Sequence, residues 1–596
     1  MNQDSFTRRH GRVSRPVPVA LLAAAALSAC GGGGGGGGNP VLGPSFPQVV
    51  ADAAKACPAL KGMTIDASAI SEPTRGAVVA SATLIPATAD KPNASNTAIV
   101  QGTPDYCQVM LSIHPVDSAA PEILSQVNLP TSWNGKKLQF GGGGYNGTLI
   151  TGVQPSRNAP PDVPMPLTRG YMTAGTDSGH ESPANADPYA FALNAEALAN
   201  HAFGSYKKTH DAALRIGVAY YGHLPIKSYY MGGSEGGREG LAMAQRYPQD
   251  YDGIVSIDPV MNWSALQTFG NYVGGIMQAK PGAWLGNKVQ LVHDTIAGAC
   301  DSMDGIADKV VSNTRACKPL ADAALAAKRC PSGADEAATC FSDAQLAAIN
   351  AAHAGYQFSF PLANGVTSYA GFNYGGEGLA GNWDRWMAGS KAPTTANAAD
   401  VAASRLYQFG NAYVRYFIAQ DPNFDPLSYD PANFKARVLQ VSDMIDATNP
   451  DLSAFYAHGG KLILREDLSD TAESQLTGLN YWDSVVARMG RSTVDDFFAA
   501  FVATGLPHTS AGVAAGTVNA PSYGIPGSVD LLAPLENWVE NGVAPGAQLT
   551  LVNKAALPPY NVIASKPLCR YGTYPKYTGT DPSGGNLASN YTCVSQ

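Results

Sequence analysis

Ser234 stands in Gly232-Gly233-Ser234-Glu235-Gly236, after the apolar run Ser228-Tyr229-Tyr230-Met231 and before Arg238-Glu239-Gly240-Leu241-Ala242-Met243. Strand, glycine corner and helix are expected around one serine. A sharp turn lifts a serine clear of a sheet, and small residues two before and two after it let strand and helix pack closely. The helix start also aims free backbone N–H groups at developing negative charge. Such a motif arises by chance in a chain with 64 glycines, so its partners decide its meaning. A serine hydroxyl is barely nucleophilic until a base takes its proton, imidazole titrates near the operating pH, and a carboxylate fixes the imidazole tautomer.

In sheet hydrolases those groups follow in the order serine, acid, histidine, each after a strand. Lys461-Leu462-Ile463-Leu464 reads as a strand and leads through Leu468-Ser469 to Asp470, the expected acid, with Asp467 as competitor. The run 497–502 leads through Gly505-Leu506-Pro507 to His508, the expected base. His180 precedes the serine, breaks the order, and is expected to hydrogen-bond near the site. Gly141-Gly142-Gly143-Gly144-Tyr145-Asn146-Gly147 follows another strand, so the N–H of Gly144, with that of Glu235, is the expected oxyanion pair; the competing reading is a glycine loop with no donor role. Asp301, Asp304 and Asp308 crowd around Gly305, a density of hard oxygen ligands that suits calcium or simply makes a solvated acidic turn. The spacing is not an EF-hand, since Met303 holds the third position.

These groups need a scaffold. Predicted strands at 137–140, 171–175, 228–231 and 253–257 alternate with predicted helices at 192–217 and 239–247, which argues a mainly parallel sheet with helices on its faces. From about 262 to 450 the chain reads as helical and irregular, then strands return at 461–464 and 497–502 before a helix near 531–541. The expectation is an α/β fold, an α/β-hydrolase sheet domain over 49–261 and 451–596 with a large, mainly helical lid domain, 262–450, inserted.

At 596 residues the chain has room for more than one core. Residues 1–30 read as an export signal, with Arg8, Arg9, Arg12 and Arg15 before an apolar stretch ending Leu27-Ser28-Ala29-Cys30. That ending resembles a lipobox, so Cys30 is the expected lipid anchor and sole membrane attachment. The glycine run 31–38, within a tether over 31–48, cannot pack. A formal charge of -8 disfavours nucleic acid as a partner. Of nine cysteines, Cys30 aside, an even number remains in an exported chain. Sequence proximity suggests Cys57–Cys107, Cys300–Cys317, Cys330–Cys340 and Cys569–Cys593, among the many pairings that number allows.

Taken together, the Ser234 elbow, Asp301-x-x-Asp304-Gly-x-x-Asp308, Leu468-Ser469-Asp470 and the late His508 resemble the tannase and feruloyl esterase family over nearly all of the chain after the signal. The resemblance implies a serine esterase for esters of aromatic acids, of feruloyl, galloyl or terephthaloyl type, with Ser234, Asp470 and His508 as triad. It implies a structural calcium on Asp301, Asp304 and Asp308 and the carbonyls of Ile306 and Val310. Segments around Trp386, Arg405 and Phe409 look like the family's pocket wall, the arginine meeting a free carboxylate in a terephthalate-acting member. Family members commonly carry a disulfide joining the residue before the serine to the one after the histidine; here those are Gly233 and Thr509. The expectation is a histidine loop aligned by packing alone. An esterase for other hydrophobic esters, a peptidase, and a non-catalytic binding lipoprotein stay open.

Overall fold

A computed structural model describes residues 45–182, 187–279, 282–391 and 404–596. The signal, Cys30 and the glycine run lie outside the described residues. Twelve strands form one sheet. In chain order they are β1 Thr64–Ile65, β2 Ala77–Ile85, β3 Tyr106–Ile113, β4 Ile123–Pro130, β5 Lys136–Phe140, β6 Met172–Thr176, β7 Lys227–Gly233, β8 Gly253–Ile257, β9 Lys461–Asp467, β10 Phe498–Ala503, β11 Gln548–Lys554 and β12 Val562–Arg570. Their spatial order is β11-β12-β10-β9-β8-β7-β5-β6-β4-β3-β2-β1.

Neighbours from β10 through to β6 run parallel. Both wings are antiparallel, so the sheet is mixed rather than mainly parallel. The physical reason is local: alternating buried and exposed side chains along β2 suit a wing strand with one wet face, whereas β8 and β10 are buried throughout.

Helices cover the sheet on both faces. Against one pack α1 Ser205–Tyr221, stopped by the left-handed Gly222, and α2 Glu235–Arg246. Between β8 and β9, which are hydrogen-bonded neighbours, the chain builds α3 Trp263–Ala279, α4 Val289–Cys300, α5 Thr314–Ala327, α6 Asp343–Ala354, α7 Arg405–Ala412 and α8 Lys435–Ile445. These share an apolar core holding Phe269, Trp383 and Phe417, each fully buried and each contributing on the order of 1.5–3 kcal/mol by leaving water. Residues Phe46–Gln596 form one compact unit, with the helical segment not set apart from the sheet. Then follow α9 Gln475–Met489 and α10 Leu532–Asn541, whose Leu535 and Trp538 seal the other sheet face. All four expected disulfides are present.

Register is what matters for chemistry. Gly233 pairs Ile257, Ile257 pairs Arg465, and Asp467 pairs Ala503, so the carboxyl ends of β7, β8, β9 and β10 finish along one edge. The loops leaving that edge carry Ser234, Asp258, Asp470 and His508, where open α/β sheets bind ligands.

Candidate active site

Ser234 sits at φ 60°, ψ -124°, between β7 and α2, a conformation that side chains rarely adopt. Its N–H is tied to Ile257 O at 2.8 Å. The glycines make the corner possible: a Cβ on Gly232 would lie 2.7 Å from Gly236 Cα. Asp470 is fully buried, and its Oδ1 accepts the N–H groups of Ala472 (2.7 Å) and Glu473 (3.2 Å). Its Oδ2 meets His508 Nδ1 at 2.5 Å. With Nδ1–H donating there, Nε2 keeps the free lone pair that a base needs. Asp467, the competitor, does not reach His508 among the described contacts; it accepts from Arg465 Nε at 2.7 Å and from the Ser510 N–H at 3.0 Å.

Ser234 and His508 line one narrow cavity with Gly144, Trp386 and Phe409. Gly144 has φ +62°, and a Cβ there would touch nothing nearer than Phe409 Cζ at 4.0 Å. Among the described residues, neither the Gly144 N–H nor the Glu235 N–H donates to a backbone or side-chain acceptor, the latter because it opens a helix. The glycine loop is held from α2: Glu239 accepts from the Gly142 N–H (3.1 Å) and from Asn146 Nδ2 (2.7 Å). The Glu235 side chain points away into the fold beside Arg238 and His201; burial pushes its carboxyl up to about 7 despite that guanidinium.

Trp386 and Phe409 form an aromatic wall, rings 6.0 Å apart, with Trp386 also 5.9 Å from the His508 ring. Arg405 is not on the cavity wall; its guanidinium lies 4.7 Å over the Phe409 ring, and Nε is buried with no hydrogen-bond partner among the described residues. Val260, Trp263, Leu266, Gln267, Leu406 and Ala472 complete the wall, and no motif announces them. His180 is buried and stacked on Phe191, 3.7 Å between rings, and burial lowers it to about 4.

The histidine loop is not held by packing alone. Thr509 follows His508 at φ +49°, its N–H donating to Asp258 Oδ2 at 2.6 Å, while Asp258 Oδ1 accepts the Asp467 N–H at 2.6 Å. Arg157 Nη2 donates to Thr509 Oγ1 at 2.5 Å, and a Cβ on Gly233 would meet Arg157 Nε at 3.1 Å and the Thr509 methyl at 3.2 Å. Arg465 Nη2 reaches Ser510 O at 3.0 Å. A polar clamp thus bridges the elbow and the histidine loop. Asp258 was legible in principle as a carboxylate ending a strand; Arg157 had no signal, lying in an irregular segment.

The acidic loop lies apart from this cavity. Asp301 and Asp304 are both held up near about 6 by burial, and Asp304 Oδ2 is buried without a partner. The buried Lys566 Nζ lies 3.5 Å from Asp308 Oδ2 and covers part of the loop's charge. The loop turns tightly: Asp304 Oδ1 accepts the Ile306 N–H at 3.3 Å and Asp308 Oδ1 the Val310 N–H at 3.1 Å. The orphaned oxygen and hard donors suit a divalent cation, although the three carboxylates do not gather within 4.8 Å of one another.

The family model "Tannase and feruloyl esterase" matches residues 107–594. The chain is 35% identical over 554 residues to an uncharacterized esterase of Agrobacterium fabrum, covering 91% of this chain and 94% of that one. It is 31% identical over 564 residues to the mono(2-hydroxyethyl) terephthalate hydrolase of Piscinibacter sakaiensis, covering 86% and 89%. The solved feruloyl esterase B from Aspergillus oryzae superposes with TM-score 0.70 at 22% identity, covering 90% of this chain and 99% of that one, a likeness of fold.

Proposed function

We propose, for a chain that belongs to the tannase and feruloyl esterase family, an exported serine carboxylesterase that cleaves esters of aromatic acids through an acyl-enzyme. The observation that carries it is the Asp470–His508 pair sharing a cavity edge with the strained Ser234 beneath an aromatic wall. Ser234 Oγ gives its proton to His508 Nε2 and attacks the ester carbonyl carbon. The N–H groups of Gly144 and Glu235 receive the oxyanion, each such donor contributing roughly 3–4 kcal/mol to the transition state. His508 then protonates the leaving alcohol, and water, deprotonated by His508, releases the acid. Asp470 holds the imidazole tautomer and stabilises imidazolium.

Trp386 and Phe409 would flank the aryl ring. The cavity holds only about 20 Å³, so an aryl group enters only as its walls part. Arg405, a half-buried cation with an idle Nε, supports recognition of a substrate carboxylate. Calcium on Asp301, Asp304, Asp308 and the carbonyls of Ile306 and Val310 would tie down the loop beside the Cys300–Cys317 bridge, with no part in the chemistry. Residues 262–450 would serve as the lid, and Cys30 as the lipid anchor; no helix among the described residues is long and apolar enough to cross a membrane.

The test is hydrolysis of methyl gallate, methyl ferulate, mono(2-hydroxyethyl) terephthalate and an aliphatic ester by the wild type, Ser234→Ala and Arg405→Ala. Serine-independent turnover sinks the mechanism. Unchanged preference for carboxylate-bearing esters in Arg405→Ala sinks the arginine's role.

A further inference from the structure

A second cavity, sharing no residue with the one at Ser234, has a volume of about 610 Å³, within the ~300–1,000 Å³ usual for small-molecule sites. Leu468, Leu479 and Val502 supply apolar surface, and Trp482 stands edge-on to Tyr571 at 5.5 Å. Three cations, Arg315, Lys318 and Arg491, line it beside Gln596 and Asp483, the latter already accepting from the Tyr571 hydroxyl at 2.9 Å. Lys318 and Arg491 have carboxylates one helical turn on, at 3.2 and 2.8 Å, and they lie over the Tyr374 and Trp482 rings at 5.4 and 4.8 Å. Arg315 has no carboxylate partner among the described residues.

Two buried polar atoms in the same wall have no hydrogen-bond partner among the described residues: Asn373 Nδ2, a donor, and His353 Nε2. His353 is 8% exposed, and its Nδ1–H donates to Phe372 O at 2.9 Å, so Nε2 presents a lone pair. Burial holds that imidazole down to about 4, keeping it neutral at pH 7. The walls therefore ask for a flat apolar ring, an anionic end, and a group that both donates and accepts a hydrogen bond. A hydroxyl does both.

We infer that this cavity is a second binding site for a hydroxylated aromatic carboxylic acid. Ring burial against Leu479 and Trp482 supplies affinity, the hydroxyl satisfies His353 and Asn373, and the carboxylate is held by the cations. That this acid is also a product of the enzyme rests on the ester-hydrolase reading; the binding does not. Leu468 lies two residues before Asp470 on the chain, so an occupant rests against the segment that carries the triad acid. Inhibition by the acid then has a component that rising substrate does not relieve.

The experiment is equilibrium dialysis of 4-hydroxybenzoate, benzoate and the uncharged 4-hydroxybenzamide with the full chain. The proteins are wild type, Ser234→Ala, Arg405→Ala and Arg315→Glu/Arg491→Glu, whose two altered side chains are exposed and outside the cores. The expected result is binding of 4-hydroxybenzoate that Ser234→Ala and Arg405→Ala retain, weakened at least about tenfold by the double charge reversal, with both other ligands weaker on the wild type. No binding by the wild type at millimolar ligand overturns the inference. So does binding that the double reversal leaves unchanged, or that only Arg405→Ala removes. Failure of the hydrolase reading shows up separately, as ester turnover surviving in Ser234→Ala.

Discussion

Replacing Arg157 with alanine cuts one strap of the clamp that links the nucleophile corner to the histidine loop. The Arg157–Thr509 bond is short, 2.5 Å, and a hydrogen bond from a charged donor is worth roughly 1.5–3 kcal/mol. Arg157 is exposed, so solvent screens part of that, and the Asp258–Thr509 and Arg465–Ser510 contacts remain. A net loss of about 1–2 kcal/mol in the alignment of His508 with Ser234 is the reasonable magnitude. Since about 1.4 kcal/mol is tenfold in rate, kcat should fall about 5- to 30-fold. KM should hardly move, because Arg157 does not line the cavity at Ser234. Steady-state kinetics on an aromatic ester reads both, and thermal unfolding shows whether the fold is intact. A rescue separates alignment from general damage. A Cβ at 233 would lie 3.2 Å from the Thr509 methyl carbon, one bond beyond the Thr509 Cβ, which brings the two Cβ atoms close to the ~3.5–4.5 Å that a bridge needs. With the guanidinium gone from its place beside Gly233, Gly233→Cys/Thr509→Cys in the Arg157→Ala background should form a disulfide, verified by thiol titration, and recover most of kcat. An Arg157→Ala enzyme with unchanged kcat, or one whose loss lies wholly in KM, refutes the reasoning.

Lys137 makes stability depend on pH. It is wholly buried, 2.8 Å from His210 Nδ1, and burial lowers it to about 7, against the pull of Asp250 and Asp211. Unfolded, it stays protonated to about 10.4, so between those values the unfolded chain holds more protons and stability rises with pH, by up to about 1.4 kcal/mol per unit. Urea unfolding at pH 7.5 and 9 should show a gain of about 1–2 kcal/mol that Lys137→Met removes; equal slopes in both proteins would contradict it. Chelation of divalent cations should lower the melting temperature by several degrees, reversed by calcium and absent in Asp304→Asn; calorimetry that finds no shift in the wild type disposes of the cation.

Much of this was legible in residues. Continuous apolar runs such as Phe498-Ala499-Ala500-Phe501 announce strands buried on both faces, and glycine spacing announces the corner at Ser234. The antiparallel wings were less legible, because the docking of β12 on β10, Phe501 against Arg570, is a long-range pairing that no local period encodes. The Arg157 strap joins residues 352 apart in the chain, and a side chain in an irregular segment carries no sign of where its guanidinium lands. Arg405 was legible through the family resemblance as a pocket arginine, but its place over the Phe409 ring and off the cavity wall was not.

The chain leaves the sheet after Ile257 and rejoins it at Lys461, on the adjacent strand, in register. Every aromatic wall residue of the cavity, Trp263, Trp386 and Phe409, belongs to that excursion, whereas Ser234, Gly144, Asp470 and His508 stand outside it. On the proposed function, recognition and bond cleavage are therefore written in separable stretches of the sequence. Chimeras that exchange residues 259–460 between relatives, leaving Asp258 and its clamp in place, would then transplant appetite for one ester or another, and breadth of diet could diversify without reinvention of the cutting edge.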